Sequence, residues 1–330
     1  MQTNQITKSA FLILIRTSRI LNFSRSHCSR MTTTKKSRAQ AKLTRQQNWI
    51  PYLFLLPALI ALSLTIFLPA IQAFSLSFTS YDYDLTKLPD WVGLANFQRL
   101  ASDRVFWQTV VNTLFYLVGA VPILVIIPLV LAIIVNQKLR GIYWFRTAYY
   151  APVVVSMVVA GIAWKALYID NGLLNQFIRR LGFEGVPWLT SPKLALWSVM
   201  LVTIWKGLGY YMVIYLAGLQ AIPAELYEAA AIDGSEGWQK HWDITFPLMR
   251  PYLALVAVIS AISATKVFEE IYVMTQGGPR NSSKTVVYYL YERAFKDLDI
   301  SYACTIGLIL FLGVLILSII NLRLSKKVSS

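Results

Sequence analysis

Few residues of this chain have the types and spacing that catalysis or metal binding requires. The two histidines, His27 and His241, lack the surrounding Cys, Asp and Glu residues of a metal or nucleophile site. The two cysteines, Cys28 and Cys304, lie far apart and indicate neither a disulfide framework nor a metal site. No phosphate-binding GxxxxGK[ST] motif is present. We therefore predict no catalytic residue, no metal site and no bound cofactor in this chain.

Composition indicates an integral membrane protein. Of the 330 residues, 56% are hydrophobic and only 14% are charged, which is too apolar for a soluble domain of this size. The formal net charge of +15 raises the question of nucleic acid binding. The basic residues cluster in the termini and in one short loop rather than on one folded face, so we expect no nucleic acid partner.

Six apolar segments are long enough to cross a lipid bilayer, which takes about 20 helical residues. We predict these spans at 49–74, 113–135, 147–168, 194–219, 252–273 and 302–322, and a short surface helix at 288–295. Basic residues in the N-terminal tail, in the loop 136–146 and near the C-terminus place both termini in the cytoplasm by the positive-inside rule. The sequence thus predicts an all-α integral membrane fold with six transmembrane helices.

The first 48 residues form a basic tail before the six-span domain of residues 49–330. Residues 1–30 contain four arginines, many serines and no acidic residue, a composition typical of a targeting segment or a weak amphipathic anchor. Met31 begins a stretch with the composition of an ordinary cytoplasmic tail. We therefore expect translation to begin at Met31, which N-terminal sequencing of the expressed protein would check.

Several charged residues fall inside the predicted spans. Lys206 lies near the middle of the fourth span, where a charge is expected to face a cavity or a partner. Lys266 is three and four residues before Glu269 and Glu270, a spacing that predicts mutual neutralisation on one helix face. Lys165, near the outer end of the third span, is expected to anchor the chain at the membrane interface.

The stretch Ile222–Pro251, called the 222–251 segment below, is polar although it lies between the predicted fourth and fifth spans. Counting spans places it in the cytoplasm. Gly234 can adopt the left-handed backbone that ends a helix, and Ser235 has a side chain suited to capping the next one. Pro247 and Pro251 would end that second helix before the next span begins. We therefore predict two short helices with a break between them.

The first of these helices has a small apolar face, because Leu226, Ala229 and Ala230 recur at helical spacing. A helix lying on a membrane surface is normally rich in Lys and Arg. The first half of this segment instead carries Glu225, Glu228, Asp233 and Glu236. We expect the helix to dock in a groove on a cytoplasmic protein, and a hairpin on the membrane surface is the alternative.

The residues Glu228-Ala229-Ala230, Gly234 and Ile244-Thr245-Phe246-Pro247 resemble the EAA loop of binding-protein-dependent ABC importers, whose pattern is E-A-A-x3-G-x9-I-x-L-P. The single departure, Phe246 in place of Leu, keeps an apolar side chain. Trp205-Lys206-Gly207 and Thr275-Gln276-Gly277-Gly278-Pro279 resemble the carbohydrate-type permeases related to the maltose, lactose and glycerol-phosphate importers. The resemblance covers nearly everything after residue 48.

This resemblance implies the type I ABC importer permease fold with a cytoplasmic coupling helix between spans 4 and 5. It implies a bacterial inner membrane subunit that pairs with a second homologous permease and sits on two ABC ATPase subunits. An extracytoplasmic solute-binding protein would deliver the solute, and ATP and Mg²⁺ would be used by the ATPase subunits. Contact with an ATPase is implied for Glu228, Ala229, Ala230, Asp233, Gly234, Ile244 and Pro247.

The resemblance also implies a sugar or sugar-like solute, such as a disaccharide, an oligosaccharide, a polyol glycoside or glycerol phosphate. Trp205, Tyr210 and Tyr211 could stack on sugar rings, because aromatic faces with polar tips suit such ligands. Packing and the membrane interface would equally explain these aromatic residues. Lys206 could line the pathway or form an ion pair with the sister subunit.

An ion-coupled secondary transporter for a small polar solute is the alternative function. Such a protein would be expected to show paired broken helices in two repeated halves and a membrane acid for ion coupling. No such repeat is visible in the sequence, and the acidic residues cluster in loops. Nor would this alternative explain the 222–251 segment.

Overall fold

The computed structural model describes residues 50–81, 89–137 and 140–329, so the basic tail and the expected start at Met31 lie outside the described residues. The chain divides into two compact units, residues 1–70 and 71–330, which are described separately. In the first unit, the helix Ile50–Leu62 continues through a π-helical turn at Ser63–Phe67. The helix Leu68–Leu76 follows and completes the first apolar segment.

Six helical segments in the described ranges are long and apolar enough to cross a membrane. They are called spans 1 to 6 in chain order: Tyr52–Leu76, Arg104–Val135, Met157–Arg180, Ala195–Gln220, His241–Met274 and Ile300–Ile320. Each overlaps one predicted span, so the predicted all-α fold with six transmembrane helices is confirmed. The helix of span 6 itself extends over Ile300–Ser329.

Span 2 begins well before the predicted residue 113. Its helix, Arg104–Val135, is capped by Asp103, whose carboxylate accepts hydrogen bonds from the backbone N–H groups of Val105 and Phe106 at 2.8 and 3.3 Å. An Asp at this position satisfies donors that would otherwise have no partner at a helix start. The cap therefore extends the helix into the polar residues that hydropathy assigns to a loop.

The predicted third span, residues 147–168, is not one continuous helix. The helix Ile142–Val154 ends at two residues with extended backbone, and the helix Met157–Tyr168 begins after them. Ser156 caps the second helix by accepting a hydrogen bond from the Val159 N–H at 3.3 Å. The span then ends in the short helix Leu173–Arg180.

Span 5 also differs from the prediction. Instead of a second short helix ended by prolines, a π-helical turn at His241–Thr245 continues directly into the helix Phe246–Thr265. Pro247 lies in the first turn of that helix, directly after the π-helical turn. A second interruption follows at 266–268, before the helix Glu269–Met274. The prediction of two short helices within the 222–251 segment is therefore wrong for the second helix.

Span 4 packs on span 2, span 5 and the helix Ile142–Val154. Its side chains Met200, Met212 and Tyr215 are fully buried in the main hydrophobic core. A Cβ atom on Gly209 would lie only 2.0 Å from the backbone carbonyl oxygen of Tyr149. Glycine is therefore needed at this crossing, because it allows two membrane helices to approach backbone to backbone.

Short elements cover the end of the bundle where spans 2 and 4 begin. The strands Thr79–Ser80 and Asp90–Trp91 pair antiparallel, and the helix Ala95–Ser102 precedes span 2. The helix Val286–Tyr291 and the π-helical turn Glu292–Lys296 correspond to the predicted surface helix at 288–295. Span 4 ends at the opposite side, where the helix Ala224–Ile232 follows it.

Candidate functional site

A cavity of about 500 Å³ lies between spans 2, 4 and 5 and the first interruption, at 155–156, which directly precedes span 3. Its volume falls within the range of sites that hold small molecules. Both interruptions border it, since Val153 and Met157 flank the first and Lys266 belongs to the second. The polar and charged side chains on its wall are Thr203, Lys206, Tyr210, Tyr211, Ser260, Ser263, Lys266, Glu269 and Glu270.

A chain of three hydrogen-bonded side chains joins three helices at this wall. The Tyr116 hydroxyl donates to the Thr203 hydroxyl at 2.6 Å, and the Thr203 hydroxyl donates to the Glu270 carboxylate at 2.9 Å. Tyr116 is fully buried and Glu270 is only 9% exposed. The arrangement fixes a carboxylate between spans 2, 4 and 5, in a place where the sequence does not predict one.

The predicted neutralisation of Lys266 by Glu269 and Glu270 is wrong. No ion pair within the described ranges joins Lys266 to either carboxylate. The helical spacing assumed in that prediction does not exist, because the helix is interrupted at 266–268 and Glu270 turns to Thr203 instead.

Two lysines inside the spans donate to backbone carbonyl groups near helix ends. The Lys206 ammonium donates to the Val153 carbonyl oxygen at 3.3 Å, at the end of the helix Ile142–Val154. The Lys165 ammonium donates to the Val273 carbonyl oxygen at 3.1 Å. The last carbonyls of a helix have no partner within it, so these lysines supply one. Lys165 is thus bonded to span 5 rather than serving only as the predicted interfacial anchor.

The aromatic residues of span 4 divide between the cavity and the packing around it. Tyr210 and Tyr211 both line the cavity, with ring centroids 5.1 Å apart and nearly perpendicular planes. Tyr210 is 44% exposed, whereas Tyr211 is buried. Trp205 packs against Trp164, with centroids 5.5 Å apart, and is not among the residues that line the cavity.

Sequence reasoning missed Thr203, Tyr116 and Glu270 as members of this site. Thr203, Lys206 and Tyr210 recur at positions i, i+3 and i+7, which places polar side chains on one face of an apolar helix. That periodicity was the available signal for a polar wall on span 4. The position of Glu270 depends on the interruption in span 5, which periodicity does not reveal.

At the opposite end of span 4, the 222–251 segment begins with the helix Ala224–Ile232. The helix ends at Gly234, whose φ is +83°, and the Gly234 and Ser235 N–H groups donate to the carbonyls of Ala231 and Ala230 at 3.2 and 2.8 Å. These two bonds form a Schellman motif, which requires a left-handed residue at the position of Gly234. The predicted left-handed end of this helix is present.

Two side-chain contacts join this helix to the start of span 5. The buried Thr245 hydroxyl lies 3.0 Å from both the Tyr227 hydroxyl and the His241 Nδ1 atom. The Ser235 hydroxyl donates to the Asp243 carboxylate at 2.6 Å. Ser235 therefore connects the two halves of the segment. The prediction that Ser235 caps a second helix is wrong.

The residues predicted to contact an ATPase form an accessible surface. Glu228, Ala229, Asp233, Gly234 and Pro247 are exposed, whereas Ala230 and Ile244 are half-buried. Large apolar side chains lie beside them in the same segment: Ile232, Trp238 and Trp242 are 87%, 55% and 62% exposed. Such apolar exposure on a polar segment is typical of a protein interaction surface.

Asp103 is the centre of a polar cluster at the end of the bundle where span 2 begins. Besides its two backbone bonds, its carboxylate accepts hydrogen bonds from the hydroxyls of Tyr289 and Tyr302 at 2.5 and 2.6 Å. Partial burial raises the pKa of Asp103, but the hydrogen bonds outweigh burial, and the net pKa lies below its ordinary value. Burial and the neighbouring carboxylate together raise the pKa of Tyr289 to about 12.

We expect Asp103→Asn to lower the thermal stability of the purified complex at neutral pH. A carboxylate with a lowered pKa stabilises the folded state above its ordinary pKa of 3.8, and this stabilisation is lost as the pH falls through the lowered value. The stability difference between wild type and variant should therefore shrink on acidification. Thermal unfolding between pH 7 and pH 3 measures it, with Asp90→Asn in the exposed strand as the control. A difference that does not depend on pH would contradict the role of the charge.

Comparison with known proteins identifies the family. Residues 92–330 match the family described as the binding-protein-dependent transport system inner membrane component. The chain is 33% identical to the lactose transport system permease protein LacF of Rhizobium radiobacter, over 90% of this chain and 99% of the relative. It is 30% identical to the probable starch degradation products transport system permease protein AmyD of Thermoanaerobacterium thermosulfurigenes, over 87% of this chain and 97% of the relative.

Among solved structures, the chain is similar to a bacterial ABC transporter involved in the import of the acidic polysaccharide alginate. The TM-score is 0.77 at 23% sequence identity, and the match covers 89% of this chain and 100% of the other. This likeness supports the predicted permease fold. The family match covers most of the chain, and the relatives match over nearly their full length. The chain therefore belongs to the inner membrane components of binding-protein-dependent ABC transport systems.

Proposed function

We propose that this chain forms half of the translocation pathway of an ATP-driven importer for a sugar or a sugar-like solute. The observation that carries the proposal is the cavity with its polar wall. The relatives of the chain include permeases named for lactose and for starch degradation products. Hydroxyl, ammonium and carboxylate groups beside two tyrosine rings suit a polyhydroxylated ligand. Lys206, Tyr210 and Tyr211 are the proposed pathway contacts, and Trp205 supports them through packing.

The 222–251 segment is proposed to be the coupling element that fits into a cleft on an ATPase subunit. Its first helix is bonded through Thr245 to the start of span 5, and the helix Phe246–Thr265 continues from there without interruption. The same helix lines the cavity with Ile259, Ser260, Ser263 and Ala264. Displacement of the docked helix would therefore reach the cavity wall directly. Alternating access is then an equilibrium that ATP binding in the partner shifts.

The proposed assembly contains a second homologous permease, two ABC ATPase subunits and an extracytoplasmic solute-binding protein. ATP and Mg²⁺ would be bound by the ATPase subunits. The proposed topology has both termini and the 222–251 segment in the cytoplasm, and the Asp103 cluster on the outer face. Basic residues in the loop after span 2, including Arg140 and Arg146, support that orientation.

Transport by the reconstituted complex tests this function. Uptake into proteoliposomes should require ATP on the side of the ATPase subunits and the binding protein on the other side, and ionophores should not abolish it. An ion-coupled secondary transporter remains the rival, because interrupted spans and a membrane acid such as Glu270 also occur in that class. Uptake that ionophores abolish and that proceeds without ATP would overturn the proposal in favour of this rival.

We expect Thr245→Val to reduce uptake about tenfold while the complex still hydrolyses ATP. The change keeps the shape of the side chain but removes the hydroxyl that contacts Tyr227 and His241, so one of the two side-chain contacts with the start of span 5 is lost. Thr265→Val is a matched control in the same span, because the Thr265 hydroxyl donates only to Ala261 within its own helix. Comparable uptake by the two variants, measured alongside ATP hydrolysis, would contradict the proposed connection.

A further inference from the structure

The cavity carries two positive and two negative side chains. Lys206 and Lys266 supply the ammonium groups, and Glu269 and Glu270 supply the carboxylates. The formal charges of this wall therefore cancel. Lys206 also donates to the Val153 carbonyl oxygen, so part of its hydrogen-bonding capacity is already used within the protein.

Glu270 differs from the other three charged residues in how firmly it is held. It is buried, and one of its carboxylate oxygens accepts from the Thr203 hydroxyl, whose own oxygen accepts from the Tyr116 hydroxyl. Each hydroxyl has one proton to donate, so the direction of the chain runs from Tyr116 to Glu270. The carboxylate is thus fixed in place as a hydrogen-bond acceptor before any ligand arrives, which lowers the entropy cost of binding.

Uncharged sugars and acidic sugars would make different contacts with the charged groups of this wall. The hydroxyl groups of an uncharged sugar can donate to a carboxylate and accept from an ammonium group, so they satisfy both kinds of wall group. The carboxylate of an acidic sugar would lose its water and lie near the fixed carboxylate of Glu270, in a wall that carries no net positive charge. Moving a charge out of water to a place beside a like charge is costly.

We propose that Glu270 is a specificity-determining residue of the pathway, which selects uncharged sugars over sugars that bear a carboxylate. The inference rests on the proposed sugar-import function and adds a substrate class and a residue to it. Thr203 and Tyr116 act as positioning residues, because their hydrogen bonds hold the Glu270 carboxylate in place, and Thr203 also lies on the cavity wall.

The test is ligand binding to the assembled importer in lipid nanodiscs, without the solute-binding protein, whose own specificity would otherwise mask that of the pathway. Saturation-transfer NMR compares maltose and lactose with their derivatives oxidised to a carboxylate at C6. The wild-type complex should bind the uncharged sugars at least tenfold more tightly. Glu270→Gln keeps the bond from Thr203 and removes one negative charge, and it should reduce this preference at least fivefold.

Lys266→Gln changes the charge of the wall in the opposite direction and should increase the preference for uncharged sugars. If the Glu270→Gln complex does not assemble, the sugar preference of the Lys266→Gln complex tests the inference by itself. Glu184→Gln, at an exposed position outside the cavity, should leave the preference unchanged. Thr203→Val keeps the charge of Glu270 but removes its anchor, and it should weaken binding of the uncharged sugars.

Two results would overturn this inference and leave the proposed function standing. One is a wild-type complex that binds the acidic derivatives as tightly as the parent sugars. The other is sugar binding whose preference stays the same in both Glu270→Gln and Lys266→Gln. Failure of the proposed function would look different, because the wild-type complex supplied with both ATP and the solute-binding protein would then import no sugar of either class, and both conclusions would fall.

Discussion

Gly209→Ala is expected to prevent most of the protein from reaching its folded state. The added Cβ would lie 2.0 Å from the Tyr149 carbonyl oxygen, 2.9 Å from its carbonyl carbon and 3.1 Å from the Tyr150 Cα atom. All three are backbone atoms, so no side-chain rotation can relieve the clash. Overpacking costs about 1–3 kcal/mol even where side chains can adjust, and separation of span 4 from the helix Ile142–Val154 should cost at least that much.

Gly313→Ala is the matched control for that change. Gly313 also lies in a membrane span, but nothing comes within 4 Å of a Cβ built on it. The control variant should accumulate in the membrane like wild type, whereas Gly209→Ala should give a large loss of monodisperse complex after extraction. Size-exclusion chromatography with a thermal unfolding scan measures both. Equal yields and equal unfolding temperatures would show that the crossing tolerates a wider separation.

Glu228→Lys and Gly234→Pro should both abolish ATP-driven uptake and leave the protein in the membrane. Lys at 228 reverses the charge on an exposed position of the helix Ala224–Ile232. Pro at 234 cannot adopt a φ of +83°, and it also removes the N–H that donates to the Ala231 carbonyl. Each change alters the surface proposed to enter the ATPase cleft without touching a span.

Glu236→Lys is the charge-matched control, since Glu236 is exposed in the same segment but lies beyond the helix. It should retain most of the uptake. Transport assays, together with copurification of the ATPase subunits, separate loss of docking from loss of transport. Normal uptake by either Glu228→Lys or Gly234→Pro would refute the coupling assignment.

Hydropathy and charge were sufficient to predict the number of spans, because each apolar segment is long and is bounded by polar residues. The 222–251 segment was recognisable for a local reason: Gly234 stands where its helix must end in left-handed geometry. The residues thought to dock there are exposed, and the ATPase contact itself stays a prediction.

The interruptions and the cavity were not predictable in the same way. The residues directly before the first break are apolar valines, and those around 266 alternate between polar and apolar types without a regular period, so no periodicity marks either break. Glu270 was placed beside Lys266 by helical spacing, and the break sends it to Thr203. Hydrogen bonds between spans depend on tertiary packing, which a single sequence does not specify.

The lysines that donate to backbone carbonyls have a consequence for biogenesis. Lys206 finds its acceptor, Val153, at the end of the helix that precedes span 3, so the bond can form once spans 3 and 4 are both inserted. Lys165 must wait for Val273, which the ribosome delivers 108 residues later. Until then, the Lys165 ammonium group needs another hydrogen-bond acceptor, such as water or a lipid headgroup. This contact between the third and fifth spans therefore forms only after the fifth has entered the bilayer, which makes assembly of this subunit partly post-insertional.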